Sequence, residues 1–180
     1  MDAHIDGKTF HTSYRELDMN LRGLTALFGH INVKLDPVKE SVEEQRGFTH
    51  YIRLHKQIRP LLHSGNSVHL DIDDNAAMQS HNVLSQDKKA IFFIAQLALA
   101  TYTLNGNLRL TGLIADKQYK IEILDLPNHI DRNVNGHAMK SFPKGMITNT
   151  IPSGYWLINI GLLLPVLDPA TGMLVKMTTK

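Results

Sequence analysis

The sequence predicts a mainly β protein, in which an antiparallel β-sandwich of about eight strands follows two or three helices. Three observations support this fold class. Apolar residues recur at helical spacing before Gly65, strand-length apolar runs occupy the chain after it, and turn-forming residues separate those runs. Short turns between strands favour an antiparallel arrangement over βαβ units. The 180 residues are too few for a complete (β/α)₈ barrel, which needs about 250.

The first predicted helix follows a capping box. Ser13-Tyr14-Arg15-Glu16 has the S-x-x-E form, in which the serine and glutamate side chains satisfy free backbone N–H groups at a helix start. Apolar residues then follow at steps of three and four, and the helix is expected to end near Gly29. These residues are Leu17, Leu21, Leu24, Phe28 and Ile31.

A second and longer helix is predicted after Ser41-Val42-Glu43-Glu44, which repeats the capping signal. Pro60 and Gly65 indicate where this helix ends, and Asp36-Pro37 predicts a turn between the two helices. One stripe of the second helix consists of Phe48, Ile52, His55, Ile58 and Leu62.

About eight strand-sized runs follow Gly65, and turn-forming groups such as Asp73-Asp74-Asn75 and Ala115-Asp116-Lys117 separate them. Residues 128–145 are the least regular and are expected to form a long loop. The chain therefore divides into a helical part, residues 1–65, and a sandwich domain, residues 66–180. The predicted strands are residues 67–73, 77–85, 90–98, 107–113, 119–126, 146–151, 155–163 and 174–179.

Composition excludes several classes of partner. Nineteen Lys and Arg against seventeen Asp and Glu leave a net charge of +2, and clustered cations are limited to Lys88-Lys89, so no nucleic-acid partner is expected. No apolar run approaches the roughly 18 residues of a membrane span, so no membrane partner is expected. The lack of cysteine excludes disulfides and thiolate metal sites, and agrees with a cytoplasmic location.

Motif spacing assigns no catalytic, cofactor-binding or metal-binding residue. The ten histidines include no H-E-x-x-H pair, because His50 and His55 are five residues apart. Residues 71–82 begin like a calcium loop, but Ala76 stands where glycine is needed and Asn82 where a bidentate glutamate belongs. Ser153 lacks the G-x-S-x-G context of a nucleophilic serine, and no glycine-rich phosphate loop occurs.

Tyr155 and Trp156 could form a stacking platform for a sugar ring. In a strand, however, Trp156 shares its face with Ile158 and Ile160, which predicts that the indole belongs to the core. Tyr155 alternates with polar Asn159 and is the freer of the two aromatic residues. Residue patterns alone therefore stop at a helix-plus-sandwich unit of unknown function.

The order of residues resembles a known family. His4-Ile5, His11, Arg15 and Arg22 precede Ala26-Leu27-Phe28-Gly29. This order is similar to the segments H-[VI]-S-x-x-P-N-H-Q-x-x-R and R-x-x-x-A-[LM]-F-G of bacterial α-galactosidases of glycoside hydrolase family 36.

The end of the second predicted helix carries the most specific part of the resemblance. It runs from Tyr51-Ile52-Arg53 to Arg59-Pro60-Leu61-Leu62-His63-Ser64-Gly65 and is similar to the family's Y-K-x-x-R-P-L-[LI]-H-x-G. The later stretches Leu108-Arg109-Leu110, Ser153-Gly154 and Gly161-Leu162 continue the match. The resemblance thus covers essentially the whole chain.

The resemblance implies that this chain is the C-terminal part of such an enzyme. It would hold the last βα unit and terminal helices of a (β/α)₈ barrel, followed by the C-terminal sandwich. The missing barrel and N-terminal domain would be its partners. The parent would be a retaining enzyme that hydrolyses terminal α-galactosides such as melibiose or raffinose. The K-W-D and S-D-x-x-D motifs of the family's nucleophile and acid/base do not occur here, so the isolated chain is expected to be inactive, with a structural role.

The resemblance also suggests residues that support the barrel rim, namely His11, Arg15 and Arg22, although hydrogen bonds that only stabilise the fold are an alternative role. Apolar helix faces that pack on neighbouring barrel elements in the parent enzyme would be exposed in this chain unless another surface buries them. The apolar stripes either fold onto the sandwich or pair between two copies. We expect self-association through Leu17, Leu21, Leu24, Phe28 and the stripe from Phe48 to Leu62. The alternative function is a stand-alone β module that binds carbohydrate or protein.

Overall fold

The computed structural model describes residues 2–9, 14–34, 36, 38–68, 70, 72, 78–85, 89–99, 106–127 and 150–180. The helices in this part are α1 (Met19–Ala26), α2 (Val42–Ser64) and α3 (Gly154–Asn159). The strands are β1 (Asp2–Asp6), β2 (His30–Lys34), β3 (Asn66–Val68), β4 (Met78–Leu84), β5 (Lys89–Gln96), β6 (Asn107–Leu108), β7 (Tyr119–Asp125), β8 (Leu162–Leu163) and β9 (Thr171–Thr179).

An antiparallel sheet of five strands, in the order β3-β4-β5-β9-β7, organises the fold. Strand β5 lies at its centre and carries the apolar run 90–95 with little alternation between apolar and polar residues. Such a run is typical of a strand that is covered on both faces. Phe92 pairs with Val175 of β9, and Phe93 pairs with Leu174, and successive residues point to opposite faces.

Two separate cores lie on the two faces of this sheet. On one face, Phe92 and Val175 pack with Leu110, Tyr119 and Leu157 in a core built by the sheet, the β6–β8 region and α3. On the other face, the sheet packs against the helices and β1. That second core includes Ile5, Leu24, Leu54, Ile58, Ile91, Phe93 and Leu174, all of which are buried.

The predicted fold class is confirmed, because the main sheet is antiparallel and a second antiparallel layer covers it. Within the described residues this second layer contains only the short β6–β8 pair, in which Leu108 lies opposite Leu162. Helix α3 and the turns around it supply much of the remaining cover. The sandwich is therefore asymmetric, with one large sheet and one small one.

The long helix was predicted correctly. The Oγ of Ser41 accepts a hydrogen bond from the backbone N–H of Glu44 at 3.2 Å and caps α2. The backbone N–H of Gly65 donates to the carbonyl of Leu61 at 3.1 Å and ends the helix, after which β3 begins at once. Pro60 does not end the helix as the sequence suggested, but lies within its last two turns.

The start of the first helix was predicted too early. Helix α1 begins at Met19, because the Oδ1 of Asp18 accepts the backbone N–H of Asn20 at 2.8 Å and acts as the N-cap. Leu17 therefore precedes the helix, while Ser13 lies outside the described residues. The helix ends at Ala26, close to the predicted end, and Ile31 belongs to β2.

A parallel strand pair was not anticipated. Strands β1 and β2 run parallel, with Ala3 opposite Ile31 and Ile5 opposite Val33, and α1 forms the connection between them. The chain thus contains a βαβ unit followed by α2, where a single βα unit was expected. Polar residues alternate with apolar ones in His30-Ile31-Asn32-Val33, and this strand signal was overlooked beside the helical spacing.

Residues 155–163 do not form the strand that the apolar alternation predicted. They form α3 and then the short β8. The Oγ of Ser153 accepts the backbone N–H of Trp156 at 3.2 Å, and Gly161, with a φ of +94°, follows the helix end. A serine cap at the start and a glycine of positive φ after the end are typical of a short helix. For such short apolar runs, these end signals predict the type of element better than periodicity does.

Most other strand predictions hold, with shifted ends. The predicted runs 77–85, 90–98, 119–126 and 174–179 correspond to β4, β5, β7 and β9. Run 107–113 shortens to β6, and the turn at Ala115-Asp116 is present. Run 67–73 begins within β3, and its residues 69, 71 and 73 lie outside the described part of the chain. Most of run 146–151, the loop 128–145 and the turn at 73–75 lie outside the described residues.

The apolar stripes of the helices are buried within the chain itself. Leu21, Leu24, Phe48, Ile58 and Leu62 are each at most 8% exposed, because they pack on the sheet through β4, β5 and β9. Of the two predicted ways to cover the stripes, folding onto the sandwich is therefore the one observed. The faces that were expected to support self-association are not exposed, and this expectation of exposed helix faces was wrong.

Replacement of Phe92 by alanine should reduce stability strongly, since the ring is fully buried at the centre of the sheet. We expect Phe92→Ala to lower the free energy of unfolding by about 3–5 kcal/mol in urea titrations. Leu99→Ala is the matched control, because this leucine is 82% exposed and its truncation should change stability by less than about 0.5 kcal/mol. Equal losses for the two variants would contradict the two-core arrangement.

Candidate functional site

The three residues predicted to support a barrel rim have different environments. Arg22 is buried, with 4% of its surface exposed, and lies in α1. Arg15 is exposed and lies in the segment between β1 and α1. His11 lies outside the described residues. Of the two described residues, Arg22 is the buried one, and its hydrogen bonds define its role in the fold.

Arg22 connects three segments through its guanidinium group. Its Nη1 donates to the carbonyl of Asp6 at 2.6 Å, at the end of β1, and its Nε donates to the carbonyl of Leu17 at 3.0 Å. Its Nη2 donates to both carboxylate oxygens of Glu44, at 2.9 and 2.6 Å. A single side chain thus links the end of β1, the start of α1 and the first turn of α2.

Burial makes this ion pair costly to break. The side chain of Arg22 is 3% exposed and that of Glu44 is 15% exposed. A buried pair contributes little net stability compared with apolar residues, but the loss of one partner leaves a charge that is neither solvated nor paired. The guanidinium is suited to this place because its planar array of donors can serve two carbonyls and a carboxylate at once.

The segment after β1 folds back on itself. Thr9 and Glu16 form an antiparallel bridge, and the backbone N–H of Leu17 donates to the carbonyl of Lys8 at 3.2 Å. An exposed ion pair joins Lys8 and Glu16 at 3.1 Å. Residues 8–9 and 16–17 are therefore bonded to each other, and Arg22 bonds both to Leu17 and to Asp6 at the end of β1.

A second polar network joins the helices to the sheet. The Oδ2 of Asp125, at the end of β7, accepts the Tyr51 hydroxyl at 2.7 Å and the Asn20 side-chain amide at 3.1 Å. The Oδ1 of Asn20 accepts the backbone N–H of Gly172 at 2.8 Å, and His50 lies 3.4 Å from Asp125. This network contacts α1, α2, β7 and β9, so it fixes both helices against the sheet.

Tyr51 remains protonated in this network. Burial raises the pKa of its hydroxyl above the usual value, and the negative charge of Asp125 raises the pKa further. The hydroxyl therefore acts as a hydrogen-bond donor and not as a base. Sequence reasoning missed Asn20, Tyr51 and Asp125, because they are far apart along the chain and no motif relates them.

A groove of about 290 Å³ lies between β1, the end of α1 and strands β4 and β5. Its walls are mainly apolar, with the Phe28 ring 4.6 Å from the ring of His81 and 5.9 Å from that of Phe93. Among the described residues that line this groove, none is Asp or Glu.

Within the described part of the chain, no group of three or more His, Asp or Glu side chains is arranged to hold a metal ion. The helices of that part likewise include none with the length and apolar character of a membrane span.

The aromatic pair after Ser153 is more exposed than predicted. Trp156 is 42% exposed and Tyr155 is 65% exposed, since both belong to α3 and only Gly154 and Leu157 of this helix are buried. The prediction that Trp156 belongs to the core was wrong. This prediction rested on a strand, in which Trp156 shares one face with Ile158 and Ile160. In the helix, successive residues point in different directions, and Leu157 is the buried side chain.

Comparison with known proteins gives a consistent result. The chain is 39% identical to an α-galactosidase of Escherichia coli over 178 residues, which is 98% of this chain and 25% of the relative. It is 27% identical to a probable α-galactosidase G of Aspergillus terreus over 68% of this chain and 17% of that protein. No family model matches the chain.

Solved structures share the fold over the whole chain. The galactosidase domain of an α-galactosidase–sucrose kinase superimposes with a TM-score of 0.78 at 20% identity and covers 100% of this chain. An α-galactosidase of Lactobacillus brevis gives a TM-score of 0.76 at 21% identity, again over 100% of this chain. This chain spans 22% of the length of each structure.

The chain therefore shares its fold and much of its sequence with part of a larger glycoside hydrolase. It belongs to the α-galactosidases of glycoside hydrolase family 36 and corresponds to a C-terminal part of these enzymes, as the resemblance implied. It spans 25% of the length of the Escherichia coli relative and 17% of that of the Aspergillus terreus relative.

Loss of the Arg22 side chain should destabilise the chain. Arg22→Met leaves the Glu44 carboxylate and two carbonyls without their donor, and we expect a loss of about 3–5 kcal/mol in chemical denaturation. The matched control is Arg15→Met, which removes an exposed arginine and should cost less than about 0.5 kcal/mol. A loss at Arg22 no larger than that at Arg15 would show that the link between β1 and α2 contributes nothing.

Proposed function

We propose that this chain is the non-catalytic C-terminal portion of a retaining α-galactosidase that hydrolyses terminal α-galactosides such as melibiose or raffinose. Two carboxyl groups would perform this reaction through a glycosyl-enzyme intermediate, and both would lie in the part of the enzyme that this chain does not contain. The role of the chain itself is structural, and in isolation it is inactive.

One observation carries this proposal. The Escherichia coli relative matches 98% of this chain and the galactosidase domain of the solved kinase fusion matches 100% of it, while the chain spans only 25% and 22% of their lengths. The sequence also lacks the K-W-D and S-D-x-x-D motifs that the resemblance associates with the family's nucleophile and acid/base. A chain that retains one quarter of an enzyme without those motifs can position the active site but cannot supply its acids.

The parallel pair β1–β2 supports a division of the chain into barrel-derived and sandwich parts. Among the described residues, each of these strands has only the other as its partner. A parallel pair with an intervening helix is the repeating unit of a (β/α)₈ barrel. We therefore propose that residues 1–65 are the end of the barrel, that residues 66–180 are the sandwich domain, and that the missing barrel strands pair with the open edges.

In this arrangement Arg22 supports the barrel rim. Active sites of (β/α)₈ barrels lie at the carboxyl ends of the strands, and Arg22 binds the carbonyl of Asp6 at that end of β1. We propose that Arg22, together with Arg15 and His11, positions the loop after β1. Arg22 acts here as a positioning residue, because its donors are used by the protein itself.

The assembled enzyme is proposed to be cytoplasmic and oligomeric. The absence of cysteine suits a reducing compartment. Since the helix stripes are covered, self-association would use other exposed apolar side chains, such as Ile160, Leu163 and Val166, which are each 45–51% exposed.

A second candidate function is a sugar-binding module. The observation that favours it is the exposure of Tyr155 and Trp156 on α3, since aromatic faces stack on the apolar faces of pyranose rings. This function requires no catalytic acid and would not depend on the rest of an α-galactosidase.

Complementation tests the first proposal. The chain alone should release no galactose from melibiose above the level of buffer. Coexpression with the Escherichia coli α-galactosidase from which the matching C-terminal quarter has been deleted should restore hydrolysis, and the Phe92→Ala variant should restore less because its sheet is destabilised. The truncated enzyme alone is the control. Turnover of melibiose by this chain alone would overturn the proposal.

A calorimetric titration with galactose, melibiose and raffinose separates the two candidates. The structural role predicts no saturable binding. Binding with a dissociation constant of about 1 mM or lower, abolished in Trp156→Ala and retained in Leu99→Ala, would favour the sugar-binding module.

A further inference from the structure

Three histidines from two elements meet at the junction between α2 and β2. His55 and His63 belong to α2, and His30 is the first residue of β2. The ring centroids of His30 and His63 are 5.0 Å apart in an edge-to-face arrangement, and those of His55 and His63 are 6.1 Å apart. His30 and His63 are exposed, whereas His55 is only 5% exposed.

The hydrogen bonding of His55 defines its protonation state. The ring donates to the backbone carbonyl of Gly29, directly before β2, while its Nε2 is buried and has no hydrogen-bond partner. The donor is therefore Nδ1, and Nε2 carries a free lone pair. A neutral imidazole with one donor and one acceptor satisfies this arrangement, at the cost of one unpaired buried acceptor.

We propose that this cluster is an acid-sensitive latch that holds α2 against β2 at neutral pH and loosens this junction as the pH falls below about 6.5. The latch is independent of the catalytic role proposed for the parent enzyme, because all of its parts lie within this chain.

The physical basis is that, within the described part of the chain, Nε2 of His55 has no hydrogen-bond partner that could accept a second proton. A proton from solvent that binds the Nε2 lone pair creates a buried imidazolium, which is less stable in the folded chain than in an opened one. The charged groups around it add to the cost. Three neighbours oppose the positive charge, namely His63 and Arg59 of α2 and His30 of β2, whereas the Gly29 carbonyl favours it. Burial is the largest cause of the lowered pKa of His55, followed by these neighbours.

The direction of the pH effect follows from linkage. The pKa of His55 in the folded chain lies below the 6.5 of an unperturbed histidine, so the unfolded or opened chain binds more protons at low pH. The stability contributed by the neutral ring is complete above pH 6.5. It is lost progressively as the pH falls through 6.5 towards the folded-state pKa.

The opening should be local. His55 contacts the carbonyl of Gly29, the residue directly before β2, and the described pairing of β2 is limited to β1. The core on the opposite face of the sheet, around Phe92, contains none of the three histidines. Acid should therefore release β2 and the second half of α2 before it affects β5 and β9.

Thermal unfolding of the full chain between pH 7.5 and pH 5.0 tests the latch. We expect the melting temperature of the wild type to fall by at least about 3 °C more than that of His55→Gln, in which the amide can still donate to Gly29 but does not titrate. His63→Gln, an exposed substitution that should leave folding intact, should show an intermediate fall because it removes a neighbouring like charge. His4→Gln, at an exposed histidine of β1, is the control and should behave as the wild type.

One other histidine needs a separate measurement. Burial also lowers the pKa of His81 on β4, and its ring contacts Phe28. The His81→Gln variant measures how much His81 contributes to the pH dependence of the melting temperature. When His63→Gln is added to His81→Gln, it should still reduce the fall in melting temperature. A fall in melting temperature that is the same with and without His55 and His63 overturns the proposal.

Hydrogen exchange supplies the local readout. After correction for the pH dependence of intrinsic exchange, protection of residues 30–33 and 58–64 should decrease about tenfold or more between pH 7.5 and 5.5, while β5 remains protected. The change should be reduced in His55→Gln. A uniform loss of protection across helices and sheet would show global acid unfolding and would contradict a latch at this junction.

Discussion

Strand β5 has to bury both of its faces, because its six central residues are all apolar and adjacent ones point to opposite sides of the sheet. The rest of the structure depends on this constraint. One face requires the small β6–β8 layer and α3, and the other requires α1, α2 and β1. Strand β9 is subject to the same requirement through Leu174 and Val175. The helices are therefore half of the sheet's hydrophobic environment and not an attached appendage.

Polar contacts then determine how the helices lie on that sheet. Apolar packing is not directional, so it brings α1 and α2 to the sheet without defining their orientation. The Asp125 network joins both helices to β7 and β9, and Arg22 joins them to the end of β1. This coupling ties the two helices to the sheet at its β7 and β9 side and to the end of β1. Through Tyr51 and Asn20, the position of β7 is transmitted to the helix that carries Arg22.

The success of each prediction depended on whether local signals agreed. Helix α2 was predicted well, since a serine cap, a long apolar stripe and a terminal glycine all indicate the same element. Helix α3 was predicted as a strand, because a six-residue element is too short for its periodicity to outweigh apolar alternation. Its cap and Gly161 were the better signals. Of the candidate site, Arg22 was named from the resemblance, but Glu44, its ion-pair partner, was not.

The sequence by itself determined the class of fold, the long helix α2 with its end at Gly65, and the family. These properties are encoded locally, in periodicity, caps and motif order, so they can be predicted from the sequence. Tertiary structure alone decided which residues meet: Arg22 with Asp6 and Glu44, Asn20 with Gly172, and His30 with His63. Such contacts join residues that are distant along the chain, and only the packing of the helices on the sheet brings their side chains within bonding distance.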